Sequence, residues 1–285
     1  LTPTPIPAAR IPIIEYHDPD FKMNDQVQMT QAWFGEQMGW LKENGYTTLN
    51  AEDLAAYLDG SKSFPQKSVV LSFDLGTAKR PLYADVVIPT LKKYGFKAIF
   101  FILNNDSVVV DECGKPNKTF CYADLKGWAS EGVISIASHG ISHPDYTKTE
   151  TLAVKWDVEQ SRKILAEKTG FTPIAFAYPY DAFSTAAQAI VKNAGYQYAV
   201  AGNTRKELAA YPNDAQRYQL PRVYPYSNPR LYPLLTGSYK TFADVIGELT
   251  RPGTAAAVRT STATAAALSS SQQFLQQCKT LPGDL

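Results

Sequence analysis

The chain has 285 residues, of which 45% are hydrophobic and 19% charged, a composition that supports a packed core and excludes a disordered polyelectrolyte. Its 28 basic and 27 acidic residues leave a formal net charge of +1, too little to steer a nucleic acid or an anionic lipid surface to the protein. No run approaches the ~18 consecutive apolar residues of a membrane span, and the length suits one barrel-sized domain.

In chain order, residues 1–10 are rich in Pro and Thr and read as an extended arm. They carry no charged, apolar leader, so any signal peptide is read as already removed. Short apolar runs then recur at 11–15, 69–73, 98–103, 133–137, 174–178, 198–201 and 220–223, each of a length suited to a buried strand. Helical patterns lie between them at 31–44, where Trp33, Phe34, Met38 and Leu41 keep helical spacing, and at 86–94, 152–169 and 185–194. Gly45, Gly95, Gly170 and Gly195 stand where those helices end, as left-handed C-termini require. From 251 to 285 the sequence turns to Ala, Ser and Thr, with a short helix expected near 272–277. Strand alternating with helix predicts a parallel sheet covered by helices, and seven strands suit a closed or nearly closed (β/α) barrel over 11–250. No G-x-G-x-x-G or P-loop follows any strand, which speaks against a nucleotide site.

Chemistry in such barrels gathers where strands end at their C-terminal face. The three histidines, His17, His139 and His143, all follow strand runs, as do Asp74 and Tyr178-Pro179-Tyr180. His139 and His143, four apart with Gly140 and Pro144 to turn the chain, can grip one divalent cation or can be ordinary buried histidines. Asp74 reads as an active-site carboxylate or as a helix N-cap. Arg222, at the last strand end, is placed to pair with Asp74 or with substrate. Tyr224, with Tyr226 and Tyr232, can stack on sugar rings or simply pack a loop. Cys113 and Cys121 flank Gly114-Lys115-Pro116-Asn117 and are read as a disulfide, the alternative being two reduced thiols, while Cys278 is left over. With the sequons at Asn105 and Asn117 this leans towards an exported protein, secreted, periplasmic or at the cell surface.

Ser72-Phe73-Asp74-Leu75-Gly76, Ser138-His139-Gly140-Ile141-Ser142-His143-Pro144 and Ala177-Tyr178-Pro179-Tyr180 resemble the first three motifs of the polysaccharide deacetylases, carbohydrate esterases that share the NodB homology domain. Flanking segments at 11–17, 45–49 and 91–101 are similar to the branch acting on biofilm poly-N-acetylglucosamine. The resemblance implies an α/β fold, a distorted (β/α)7 barrel, with Asp74 as general base and His139 and His143 as ligands of a divalent metal, zinc by preference. It also implies a hydrolase that removes N-acetyl groups from an N-acetylated polysaccharide, with Tyr180 donating its backbone N–H to the oxyanion; Tyr178, with Arg222 and Tyr224 from their strand-end positions, is read as a substrate contact. Three positions depart from the pattern. Leu75 replaces the aspartate that is the third metal ligand, Ala177 replaces an arginine, and Asp181 replaces a glycine. The late histidine that serves as general acid is also missing, and the strand-end position of His17 makes it a candidate for that role. For the third ligand, Asp74 itself, Asp18, Asp145 and Asp181 are the substitutes in reach. If none serves, the alternative is a deacetylase-like carbohydrate-binding protein that has lost catalysis, and an amidase or esterase on a non-sugar substrate is a further one.

Overall fold

The computed structural model describes residues 9–17, 31–77, 79–114, 118–202, 209–225 and 242–251. The chain divides into two units, Leu1–Pro252 and Gly253–Leu285, and all described residues belong to the first. Most of the expected arm, almost all of the tail, the helix near 272–277, Cys278, Tyr226 and Tyr232 lie outside the described residues.

Ten strands are found among the described residues: β1 Ile13–Tyr16, β2 Thr47–Thr48, β3 Ser68–Leu75, β4 Ala98–Ile102, β5 Val109–Val110, β6 Phe120–Cys121, β7 Ile134–Ser138, β8 Ala175–Ala177, β9 Tyr198–Ala201 and β10 Leu220–Pro221. The helices are α1 Gln31–Glu43, α2 Ala51–Leu58, α3 Arg80–Leu82, α4 Ile88–Tyr94, α5 Tyr122–Ser130, α6 Thr151–Thr169, α7 Thr185–Asn193 and α8 Phe242–Leu249, with a π-helical turn joining α3 to α4. Each of the seven expected strands appears, in the parallel order β1-β3-β4-β7-β8-β9-β10. Just beyond β10, Glu15 N donates to Val223 O at 2.9 Å and Val223 N to Ile13 O at 2.8 Å, so the last strand returns to the first and the barrel is nearly closed. No helix among the described residues is long and apolar enough to cross a membrane.

Successive strand side chains point to opposite faces, and two sets of buried residues follow that period. Ile13, Val70, Ile99, Phe101, Ala137, Ala175, Ala177, Tyr198, Val200 and Leu220 fill the barrel interior. Ile14, Tyr16, Leu71, Phe73, Leu75, Phe100, Ile102 and Ile136 face the other way, against Phe34, Met38 and Leu41 of α1 and Ile88 and Leu91 of α4. Phe176, Tyr178, Ala199 and Ala201 likewise pack outward on α6 and α7. Helix ends follow their local chemistry. α4 and α6 stop at left-handed Gly95 and Gly170, as expected. α7 is capped by Ser184, and α2, absent from the sequence expectations, by Asn50, whose side chain accepts from Asp53 N at 2.7 Å.

Candidate active site

The interior period decides which polar groups meet. Counting in twos along β1, β3 and β7 and onward from Leu220 of β10 places Glu15 and His17, Ser72 and Asp74, His139, and Arg222 on the inner face towards the C-terminal mouth. At the centre is Arg222, 1% exposed. Its Nη1 donates to Asp74 Oδ1 at 2.6 Å and its Nη2 to Asp74 Oδ2 at 2.9 Å, a bidentate pair. The same Nη2 donates to Asp181 Oδ1 at 2.9 Å and lies 3.1 Å from Glu15 Oε1. Tyr224 closes the cluster by donating its hydroxyl to Asp181 Oδ2 at 2.9 Å. His17 Nε2 stands 3.8 Å from Glu15 Oε1.

Beside this cluster the two remaining histidines converge. His139 Nδ1 lies 2.9 Å from the Ala177 carbonyl, an oxygen that can only accept, so Nδ1 carries the proton and Nε2 keeps its lone pair. His143 Nε2 is 3.1 Å from that nitrogen. The loop between them is pinned by Asp157 of α6, which accepts from Ile141 N, from Ser142 N and Oγ, and from the Tyr146 hydroxyl. Gly140 has φ of 79°, and a Cβ there would lie 2.2 Å from Asp157 Oδ2, so only glycine fits. His143 and Tyr180 both adopt left-handed backbone, and their rings meet edge to face at 4.4 Å, with Tyr180 61% exposed at the mouth.

The electrostatics follow from burial and charge count. Burial alone raises an aspartate's pKa, but at Asp74 the charge of Arg222 and its hydrogen bonds, aided by His139 and His17, outweigh it and hold the carboxyl well below the usual carboxylate range. Glu15 goes the other way. Its burial raises the pKa well above the ordinary value, Arg222 offsets only part of this, and Asp181 and Asp74 add to it. Burial lowers His17, and burial together with His139 brings His143 down to about 4.

The donor set suits a divalent cation in part. Two imidazole nitrogens at ~2.0–2.1 Å from one zinc in near-tetrahedral geometry stand ~3.3 Å apart, close to what the His139–His143 pair provides, and the Ala177 carbonyl is the outer partner that orients such a ligand. Asp74 Oδ2 is 3.8 Å from His139 Nε2, the nearest carboxylate oxygen found among the described residues. Of the other expected substitutes, Asp181 spends both oxygens on Arg222 and Tyr224. Asp145 is bonded to Thr147 and Lys148, and Asp18 lies outside the described residues. Leu75 belongs to the outer set, fully buried among helix-facing side chains, so its position points away from the histidines. Glu15, His17 and Asp74 also bring ligand atoms within 4.8 Å of one another, but the Arg222 guanidinium already bridges the two carboxylates.

The structure thus brings together Asp74, His139, His143, Tyr180, His17 and Arg222. Tyr178 is not among them. It sits one step out of the interior period, fully buried against Phe176, Tyr146 and Phe183, and its hydroxyl donates to the Tyr218 carbonyl at 3.0 Å, which corrects its expected role as a substrate contact. Tyr224 is half-buried, with its hydroxyl spent on Asp181. Sequence reading missed Glu15 and Asp157. Glu15 was findable by stepping back two residues from His17, whereas nothing in the α6 sequence marks Asp157. The Cys113–Cys121 disulfide is present, with Cα atoms 5.0 Å apart.

A sequence profile for polysaccharide deacetylases matches residues 61–199. YxkH of Bacillus subtilis (strain 168), named for the same family, is 27% identical over 230 residues, which are 81% of this chain and 74% of that protein. The poly-beta-1,6-N-acetyl-D-glucosamine N-deacetylase of Escherichia coli (strain K12) is 24% identical over 255 residues, 76% of this chain but only 37% of that protein. Among solved structures, IcaB from Ammonifex degensii superposes with a TM-score of 0.68 at 18% identity, over 87% of this chain and all of that one. Streptococcus pyogenes deacetylase PplD in complex with acetate gives 0.66 at 21% identity, over 78% of this chain and 95% of that one. The matched profile, the nearly closed parallel barrel and the strand-end motifs agree, and residues 61–199 carry a polysaccharide deacetylase domain.

Proposed function

We propose that this protein hydrolyses the N-acetyl groups of an N-acetylated polysaccharide outside the cytoplasm, secreted, periplasmic or at the cell surface, and that His139 and His143 hold a divalent cation, zinc by preference. The observation that carries the reading is an ionised Asp74 beside two convergent imidazole nitrogens at the mouth of a deacetylase-family barrel. The E. coli relative, which acts on poly-β-1,6-N-acetylglucosamine, supports an acetamido sugar as substrate.

Asp74, held flat by Arg222, accepts the proton of the attacking water. A carboxylate with so depressed a pKa is a weak base, which is why the reaction calls for help. A divalent cation, when bound, supplies Lewis acidity to a carbonyl oxygen and lowers the pKa of water. The Tyr180 N–H, on its left-handed turn beside His143, is the donor to the developing oxyanion. His17, at the rim and 3.8 Å from the Glu15 carboxyl, on which burial retains a proton, relays that proton to the leaving amine and leaves Glu15 as a carboxylate beside Arg222. The exposed Tyr180 ring and the half-buried Tyr224 ring offer apolar faces to pyranose rings.

A second reading, a sugar-binding protein without catalysis, is favoured by two observations: Leu75 packs against the helices, and both Asp74 oxygens are bonded to Arg222. Acetate release from chito-oligosaccharides and β-1,6-linked N-acetylglucosamine oligomers, assayed with zinc, cobalt, nickel and manganese, separates the two. Acetate that disappears in Asp74→Asn supports the enzyme. Binding of the oligomers with no acetate under any cation sinks it.

A further inference from the structure

We infer that Asp181 is a positioning residue for Asp74, acting through Arg222, and that Gly202 provides the clearance that lets it do so. The inference rests on the reading of Asp74 as the base.

Arg222 carries one positive charge, yet three buried or half-buried carboxylates reach it, and Nη2 is shared by Asp74, Asp181 and Glu15. Gripped only by Asp74 and Glu15, the guanidinium and the Asp74 carboxylate can still rock together as one bidentate unit. Asp181 adds a third point on the same nitrogen, and three anchors fix the plane of a rigid fork. Asp181 is itself fixed, since its second oxygen accepts the Tyr224 hydroxyl at 2.9 Å. The chain from Tyr224 through Asp181 and Arg222 to Asp74 therefore joins the segment just past β10, the turn after β8 and the end of β3.

Two costs are paid locally for this arrangement. Tyr180 and Asp181 are consecutive non-glycine residues in left-handed backbone, at φ 57° and 54°, a conformation that side chains disfavour and that persists where surrounding contacts enforce it. At Gly202, just past β9, an added Cβ would lie 2.3 Å from Asp181 Oδ2 and 2.8 Å from its Cγ. The φ of Gly202 is not in the left-handed region, so its backbone does not demand glycine; the room taken by the Asp181 carboxylate does. The same turn holds the Tyr180 ring on His143, so one carboxylate aligns the base and seats the oxyanion donor together.

The test uses the whole chain and two variants that reach the same contact from opposite sides. Asp181→Asn keeps shape but removes the charge, and Gly202→Ala keeps the carboxylate but displaces it. In an active parent each is expected to lower kcat by about 10²-fold, as misplacement on the order of 1 Å does, with KM changed less than twofold. An unchanged kcat in both overturns the inference. Two readouts do not depend on activity. The Arg222 guanidinium Nη protons, observed by NMR, are expected as separate, slowly rotating signals in the parent and as averaged signals in both variants. A double-mutant cycle of Asp181→Asn with Arg222→Lys in urea unfolding is expected to be non-additive. If the parent releases no acetate with any cation, the functional reading fails while these two still decide: signals that stay separate in the variants, with additive unfolding energies, refute the positioning role.

Discussion

Replacing Leu75 with Asp tests where the site ends and the core begins. The family pattern makes this position the metal-ligand aspartate, whereas the strand period turns Leu75 onto the helix-facing side, fully buried in the cluster that includes Phe73, Tyr83, Phe100 and Ile102. Removing a buried leucine costs about 2–5 kcal/mol. A carboxyl left there without a partner adds roughly 1–3 kcal/mol even when protonated. The expected destabilisation of Leu75→Asp is therefore about 3–8 kcal/mol, a large part of the ~5–15 kcal/mol that holds a domain together. Leu75→Met, which conserves volume, should cost less than about 1.5 kcal/mol. Urea unfolding of the parent and both variants, followed by zinc content after dialysis, reads the outcome. If Leu75→Asp is within about 1 kcal/mol of the parent and gains zinc and acetate release, the side chain turns inward when given a charge, and the assignment of position 75 to the outer face is wrong.

Glu15→Gln should stabilise the protein at neutral pH. A carboxyl whose folded pKa lies above its ordinary 4.5 contributes stability that is lost as pH rises through the folded value, so the variant's advantage should be visible at pH 7.5 and gone below pH 4.5 in urea titrations. His143 has the opposite slope: the unfolded chain takes its proton near 6.5 and the folded chain only near 4, so stability falls as pH drops through that window. His143→Ala should flatten the decline between pH 6.5 and 4, which the same titrations measure. Reducing the Cys113–Cys121 bond, which spans 8 residues, should cost about 2–3 kcal/mol on the chain-entropy account, read as a lower Tm in reductant that is absent from a Cys113→Ser/Cys121→Ser variant.

Much of the barrel was legible because strand length, helix period and terminal glycine are local signals. The seven core strands were found because each is a short apolar run bounded by turn residues, and helix α2 was missed because eight residues behind an Asn50 cap give too little period to register. The site was legible only as far as a motif or a strand end marks it. Asp74, His139 and His143 announce themselves. Arg222 does so by ending the last strand. Asp157 does not, because its importance lies in accepting four hydrogen bonds from a loop that precedes it by 11 to 16 residues, and no period in the sequence carries such a contact.

The departures from the family pattern look different once the inner and outer faces are separated. Taken one at a time, Leu75 for a ligand, Ala177 for an arginine and Asp181 for a glycine read as three losses. In space, Ala177 is part of the interior beside His139, to which it offers its carbonyl, and the guanidinium that grips Asp74 arrives instead from Arg222 on the closing strand. Asp181 then follows as the anchor of that guanidinium, and Gly202 as its clearance. The arginine's task has moved from one strand to another and brought its own supports. Leu75 has no such replacement among the described residues, because the nearest carboxylates are already committed to Arg222, Tyr224 or Lys148. If Asp74 is the base and His139 and His143 hold a cation, as proposed, the base is well held and the cation poorly held, and activity should depend on the supply of metal more than on the state of Asp74.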